Sequence, residues 1–483
     1  MLIYFSSSQD YKEFLKTEKS SLSTSDLFRL SSPNFKSAIH KLSKLDVDLV
    51  ADIIFPLYSP LGRPANDPAI YLRSVVLMLH LGFTSLKNWC YEVHHDRLLQ
   101  YLIGSWNVPN HSSHYDFINR ITHSFSHHND LLPKGLFTNK SNSSKPKKGE
   151  KLMNFSNDDT YSLFDNYTHD GSVFDRDRMI YTLQLLFNAI AVIPSHDMGF
   201  IDSYNLVFSG DGSAFHIHAS PFGHQIIKDD NILNTHRYSA KNADFGWDSD
   251  LGMYYFGYTL YNISYHNPLI HTDLPVFIDL EKASRHDALS SISSTARFLD
   301  INPELSPKFM CFDSASDSSA VYQFLRHHNI IPIIDFNQRK LGKNIYKHFD
   351  SISENGKPIC DCGVEMYHCG YDYQRQRRKF RCPLKMGLID SCPHADTCSP
   401  SPYGRTVYIN DSLDMRLFGP VPYKTDKWKE LYKNRTCTER INNRILNDYH
   451  LHQMRIREDS KAAFFSIFAA INIHLDAWIK NET

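Results

Sequence analysis

Two apolar runs about a hundred residues apart each deliver an aspartate into a segment of small residues. The first is Leu206-Val207-Phe208-Ser209-Gly210-Asp211-Gly212-Ser213. It reads as a buried strand that ends at the glycines, which also open the backbone to close approach by a ligand. Gly-Asp-Gly is equally the chemistry of a tight turn, and taken alone that is the plainer interpretation. The second run is Lys308-Phe309-Met310-Cys311-Phe312-Asp313. Residues 318–328 follow with helical spacing, Val321, Phe324 and Leu325 on one face, and a further buried strand runs from Asn329 to Asp335. The result is a strand–helix–strand unit with a carboxylate where open sheets place their ligands. The recurrence, more than either run, points to a site.

At 483 residues the chain can bury a sizeable core and divide into two or three domains. With 42% hydrophobic residues, 22% charged residues and a net charge of −1, it has the composition of an ordinary soluble globular protein. Near-neutrality does not exclude nucleic acid, because local patches decide that interaction. Met1 to Lys12 lacks the pattern of an export signal, and apolar runs such as Ser74 to Phe83 are too short to span a bilayer. A cytoplasmic protein with no membrane association is expected. Of nine cysteines, five fall between Cys360 and Cys392, with Cys398 just beyond. Clustering of this kind favours metal binding over disulfides.

Residues 1–137 read as a helical N-terminal domain that binds DNA ends or dimerises. Asp67-Pro68 is a helix start, Ile70, Val75, Leu77, Leu79 and Leu81 are its expected buried residues, and a second helix begins near Thr84. The pair is compatible with a helix-turn-helix entering the major groove, but a plain helical bundle is the commoner meaning of such a pattern. Residues 138–151 form a basic polar linker. Residues 152–352 carry the first part of a catalytic core, with Met253 to Tyr265 and Leu274 to Leu280 as further strands and Ser284-Arg285-His286-Asp287 as a helix start. His216 and His218 alternate on a strand; surface histidines are commoner in such a pattern than metal ligands. Residues 353–405 are a cysteine-rich insertion in which Cys360, Cys382, Cys392 and Cys398 could close a tetrahedral zinc site, with Cys362, Cys369, His368 and His394 in reserve. Free thiols on a loop are the alternative. Arg375, Arg377, Arg378, Lys379 and Arg381, interleaved with Tyr371, Tyr373 and Phe380, suit phosphate contact and stacking, or a solvated basic face. Residues 406–483 complete the core with a helix on which Arg435, Glu439 and Asn443 share one face.

Asp211, Asp313 and Glu439 form a set, and here the chain resembles the DDE transposases of bacterial insertion sequences. The resemblance runs from about Pro60 onward through Gly62-Arg63-Pro64, Gly210-Asp211-Gly212, Tyr255-Phe256-Gly257-Tyr258, Ser284-Arg285-His286-Asp287, Phe312-Asp313-Ser314 and Ile331-Pro332-Ile333-Ile334. It continues through Tyr403-Gly404-Arg405-Thr406-Val407-Tyr408 to Tyr432-x-x-Arg435-x-x-x-Glu439-Arg440, which matches the family's tyrosine–arginine–glutamate signature. One departure is Leu446, where many relatives carry a lysine; Arg444 is the candidate substitute. The resemblance implies an α/β fold: a ribonuclease-H-like mixed sheet flanked by helices, with an N-terminal helical domain and a small cysteine-rich zinc-binding insertion. It also implies that Asp211, Asp313 and Glu439 hold two Mg2+ (or Mn2+) ions. Arg377, Arg378, Lys379, Arg435, Arg440 and Arg444 are the expected contacts to double-stranded DNA, both transposon ends and target. A homodimer or larger assembly on DNA in the bacterial nucleoid is expected, with a structural Zn2+. The implied reaction is cleavage at element ends and strand transfer. A nuclease that cuts without joining and an inactive, transposase-derived DNA-binding protein are the alternatives.

Overall fold

The computed structural model describes residues 1–122, 178–204, 206–222, 224–228, 231–237, 240, 243–337, 345–346 and 349–482. It is a mixed α/β protein in two compact units: Met1–Ser306 with Thr436–Thr483, and Pro307–Arg435. The basic linker expected at 138–151 and the domain boundaries beside it lie outside the described residues. Those expected at 352 and 405 fall within the second unit.

In the first unit six strands occur in chain order: β1 (Val207–His216), β2 (His224–Lys228), β3 (Asn231–Arg237), β4 (Asp244–Asp248), β5 (Met253–Asn267) and β6 (Thr272–Lys282). The long aromatic β5 is the axis. One edge pairs antiparallel with β1, and the other pairs antiparallel with β4 and then β6. β2 and β3 form a separate antiparallel pair. A fifteen-residue strand can serve three partners because its apolar residues lie on both faces, and Leu260, Tyr261 and Ile263 are all buried. β1 departs from expectation. It does not end at Gly210-Asp211-Gly212 but runs through to His216, so Asp211 stands mid-strand. The glycines serve packing here. A Cβ on Gly212 would sit 2.8 Å from the Thr259 methyl group across the ladder, too close for any other residue.

Helices cover this sheet from both ends of the chain. Helix Pro68–His80 starts as the sequence dictates, with the Asp67 carboxylate accepting from the Ala69 N–H at 3.0 Å and Pro68 at the first position. It is buried along nearly its whole length, which removes it as a groove-reading element. Its successor, Leu86–His95, keeps Lys87, Asn88, Tyr91, His94 and His95 exposed. Among the described residues one helix, Asp459–Lys480, is long and apolar enough to cross a membrane by length and composition, yet 89% of that apolar window is buried in the fold.

The second unit holds β7 (Phe309–Phe312) and β8 (Ile331–Ile334), a parallel pair joined through helix Ser319–His327 as anticipated. It also holds a three-stranded antiparallel sheet in the order β11 (Thr406–Asn410), β10 (Arg377–Arg381), β9 (Tyr367–Asp372). The chain leaves this unit through helix Asp426–Tyr432 and a tight turn, Lys433–Arg435.

Candidate functional site

Asp211 is half-exposed on β1, and its backbone partner across the ladder is Asn262 of β5. The Asn262 amide is fully buried and donates to the Asn442 carbonyl oxygen at 2.7 Å. Asn442 lies on helix Thr436–Asn443, which packs its Cys437, Ile441 and Asn442 side against β1 and β5. Glu439 is on the same helix, three residues before Asn442, and is exposed. A buried amide pair is costly to leave unmade, so it fixes both the depth and the rotation of the helix that carries Glu439 on the rung that carries Asp211.

Asp313 follows β7 directly. Its carboxylate accepts from the Ala315 N–H at 3.0 Å and caps the turn Ser314–Ser316. Burial pushes this carboxyl above its ordinary range, the Ala315 N–H and the Arg435 guanidinium pull it back, and Asp335 pushes it up again. Asp335 ends β8 as Asp313 ends β7. It accepts from the Tyr423 hydroxyl at 2.6 Å, and the Tyr423 ring stacks on Phe336. The paired strand-end carboxylate was visible in Ile333-Ile334-Asp335, beside the parallel Cys311-Phe312-Asp313, yet sequence reasoning left it out of the site. Near them Tyr432 has its phenol pushed up by burial and by both aspartates, while Arg435, 5.8 Å from its ring, pulls it down.

The tyrosine–arginine–glutamate segment is helical without a break, but its winding tightens in the middle. Tyr432 ends one helix, the tight turn Lys433–Arg435 intervenes, and Glu439 starts from the next. Tyr432 and Arg435 belong with Asp313 in the second unit, Glu439 with Asp211 in the first. Beyond it, Arg444–Asp448 winds as a π-turn that places Leu446 in the core. Arg444 pairs with Asp476 at 2.8 Å, and Arg440 grips Asp273 through two bonds of 2.5 and 2.8 Å. Both of these expected phosphate contacts are engaged by carboxylates.

Of the basic run, Arg378 must be reassigned. It is 7% exposed, donates to the Gly419 and Pro420 carbonyls at 3.1 and 3.3 Å, and meets His368 at 2.9 Å. Alternation along β10 turns it inward with Phe380, while Arg377, Lys379 and Arg381 point the other way. The Arg377 guanidinium lies 3.9 Å over the Tyr408 ring.

Cys360, Cys382, Cys392 and Cys398 line one cavity of about 360 Å³, with Cys362 and His394 beside them. The Cys360 and Cys362 sulfurs are 2.8 Å apart. The Cys362 thiol is pushed up to about 11, chiefly by Cys360, then by burial, and by Cys392. Cys369 is exposed, and neither it nor His368 lines this cavity. Among the described residues no three carboxylate, thiol or imidazole groups stand gathered into a metal shell. His216, meanwhile, meets Asp248 at 2.8 Å and stacks on Tyr255, a pairing across β1 and β4 that alternation alone did not reveal.

Residues 32–120 match the family model of a transposase domain, DUF772. The matched stretch runs from the start of helix Pro33–Lys44 into helix His111–Thr122, and it supports a transposase role for the chain. Among curated proteins none matches.

Proposed function

We propose that the chain is a DDE transposase with a ribonuclease-H-like core, which cuts double-stranded DNA at element ends and joins the 3′ ends to target DNA. The observation that carries this is the buried Asn262–Asn442 bond, which holds the Glu439 helix on the rung of Asp211. The transposase domain at 32–120 gives it its class. The donor set fits divalent magnesium: Asp211, Asp313 and Glu439 offer only hard oxygens, and Asp313, held above its ordinary range by burial, gains from a nearby cation. Two such ions, when bound, would activate the attacking hydroxyl and stabilise the leaving oxygen. Asp211, Asp313 and Glu439 are the residues that would hold them. Arg435 opposes that burial and favours the ionised form of Asp313.

The test is incubation with Mg2+ and DNA from the ends of the element, followed by sequencing of the products, which separates cutting from joining. Asp211→Asn, Asp313→Asn and Glu439→Gln are each expected to lower cleavage by at least about a hundredfold with fold and DNA binding kept, since loss of one stabilising group typically costs that much. Undiminished Mg2+-dependent cleavage by any of them removes that residue from the site.

For the insertion we propose a structural Zn2+ held by thiolates from the cavity-lining set Cys360, Cys382, Cys392 and Cys398, with Cys362 and His394 as alternates. Thiols converging on one cavity in so small a segment are what such a site requires. Purified protein should hold about one zinc per chain. Zinc well below that, in protein that stays folded with chelator, would falsify the assignment.

A further inference from the structure

The outward face of the β9–β10–β11 sheet has a composition that duplex binding does not call for. Register places three rungs on it: Tyr367, Arg381 and Thr406; Gly370, Lys379 and Tyr408; Asp372, Arg377 and Asn410. Three cations thus run along the middle strand, about 7 Å apart at every second residue, with tyrosines on both flanking strands. Tyr367 is 41% exposed and Tyr408 45%, and Tyr403, 68% exposed, stands beside Arg381 at 5.5 Å from the guanidinium. Gly370 sits next to Lys379 with φ +118, and a Cβ there would meet nothing within 4 Å, so the centre of the face is bare. One carboxylate stands on the face against the three cations: Asp372 pairs with Arg377 at 3.8 Å, while Lys379 is exposed.

We propose that this face is a platform for single-stranded DNA, with Arg377, Lys379 and Arg381 following the phosphates and Tyr367 and Tyr408 stacking on unpaired bases. A base can use a tyrosine ring only when its own face is uncovered, and a duplex covers every base face except the outer faces of its two terminal pairs. Cations alone would serve a duplex; exposed rings interleaved with them favour an unpaired strand. Arg377, 3.9 Å over the Tyr408 ring, places positive charge behind any base stacked on the ring's other face. The assignment rests on the transposase proposal only for its setting, since an unpaired strand is what cutting at a DNA end exposes.

The experiment is fluorescence anisotropy of the full chain with a labelled oligo(dT) and with a duplex of equal length, without Mg2+, at several salt concentrations. Tyr408→Ala and Tyr367→Ala should each weaken oligo(dT) binding about tenfold and lower the ratio of single-strand to duplex affinity, while Tyr408→Phe, which keeps the ring, restores both. Lys379→Gln should flatten the salt dependence of oligo(dT) binding by about 0.7 in log–log slope. Circular dichroism of each variant separates lost contact from lost fold. Wild-type oligo(dT) affinity in both Tyr→Ala variants, or equal losses for oligo(dT) and duplex, overturns the platform. In that case Mg2+-dependent end cleavage by the unaltered chain would leave the transposase proposal standing. Tight oligo(dT) binding without any cleavage would do the reverse.

Discussion

His114 and His474 are each held by the same four-part relay, though they lie far apart in the chain. The Trp89 indole N–H donates to Ser74 Oγ at 2.8 Å, and that hydroxyl meets His114 Nε2 at 3.1 Å. A carbonyl can only accept, so Nδ1–H donates to the Asn110 carbonyl at 3.0 Å. The Trp478 N–H likewise donates to Ser195 Oγ, whose hydroxyl meets His474 Nδ1 at 2.7 Å, and Nε2–H donates to the Pro275 carbonyl at 2.7 Å. The two rings carry opposite tautomers, each with both nitrogens occupied and no room for a second proton. Burial accordingly depresses both from 6.5 to about 4. Between those values the unfolded chain takes up protons that the folded chain refuses, so stability falls as pH drops from 6.5 towards 4, by roughly 3 kcal/mol for each histidine. The urea midpoint should fall accordingly between pH 7.5 and 4.5. His474→Gln, which keeps a donor and an acceptor but takes up no proton, should flatten that part of the profile; an unchanged profile would remove His474 from the account.

At the scale of elements, what was local in the sequence was legible and what depended on partners was not. The β7–helix–β8 unit declared itself because its apolar spacing and both strand lengths sit within thirty residues. β1 was read as ending at Asp211 because Gly-Asp-Gly is locally turn chemistry. The reason for Gly212 is Thr259, on another strand. As a run of cations the segment makes Arg378 a phosphate contact; strand alternation assigns it to the inner face. Spacing of four puts Arg435 and Glu439 on one helix face, but it gives no sign of the tightened turn Lys433–Arg435 that leads into helix Thr436–Asn443. The serine–histidine bonds of the relays and the Asn262–Asn442 pair have no short-range signal, their partners being 40 to 279 residues apart. That last pair is the most consequential. Asn442→Leu leaves the Asn262 amide buried without its acceptor and should cost about 1–3 kcal/mol. By loosening the Glu439 helix it should also lower cleavage far more than DNA affinity. Equal losses in both would make the pair merely structural. On β6, Asp279 is buried against Arg297 at 2.5 Å and Ser294 at 2.9 Å, so Arg297→Met strands a buried carboxylate and should cost about 3–5 kcal/mol in a urea titration.

The larger lesson concerns what the helices of residues 1–122 are for. Sequence patterning allowed a detachable end-reading domain, whose removal would abolish preference for element ends and leave a working core. The first unit is not assembled that way. Helix Asp459–Lys480 is packed by helices Pro33–Lys44, Pro68–His80 and His111–Thr122 as well as by β6. Polar bonds tie the same elements together. Lys41, 1% exposed, meets Asp476 at 2.6 Å and Asn472 at 3.1 Å, and Asn472 also donates to the Val76 carbonyl at 3.4 Å. Arg444 and Tyr449, just beyond the Glu439 helix, close on that same Asp476. Deleting residues 1–122 would therefore bare the side of helix Asp459–Lys480 that these three helices cover, each large apolar side chain on it losing roughly 1.5–3 kcal/mol of burial. Asp476 would lose its lysine as well. Losses of that size over several side chains add up to as much as the 5–15 kcal/mol that holds a typical domain folded. The truncated chain should collect in the insoluble fraction, with DNA binding and cleavage lost together. In the full chain, Lys41→Met should lower the urea midpoint and leave the protein soluble, because Arg444 still neutralises Asp476. A soluble, cooperatively folding fragment from residue 178 onward that binds random DNA but no longer prefers its ends would restore the detachable reader. It would then assign end recognition to the exposed Lys87, Asn88, Tyr91 face of helix Leu86–His95.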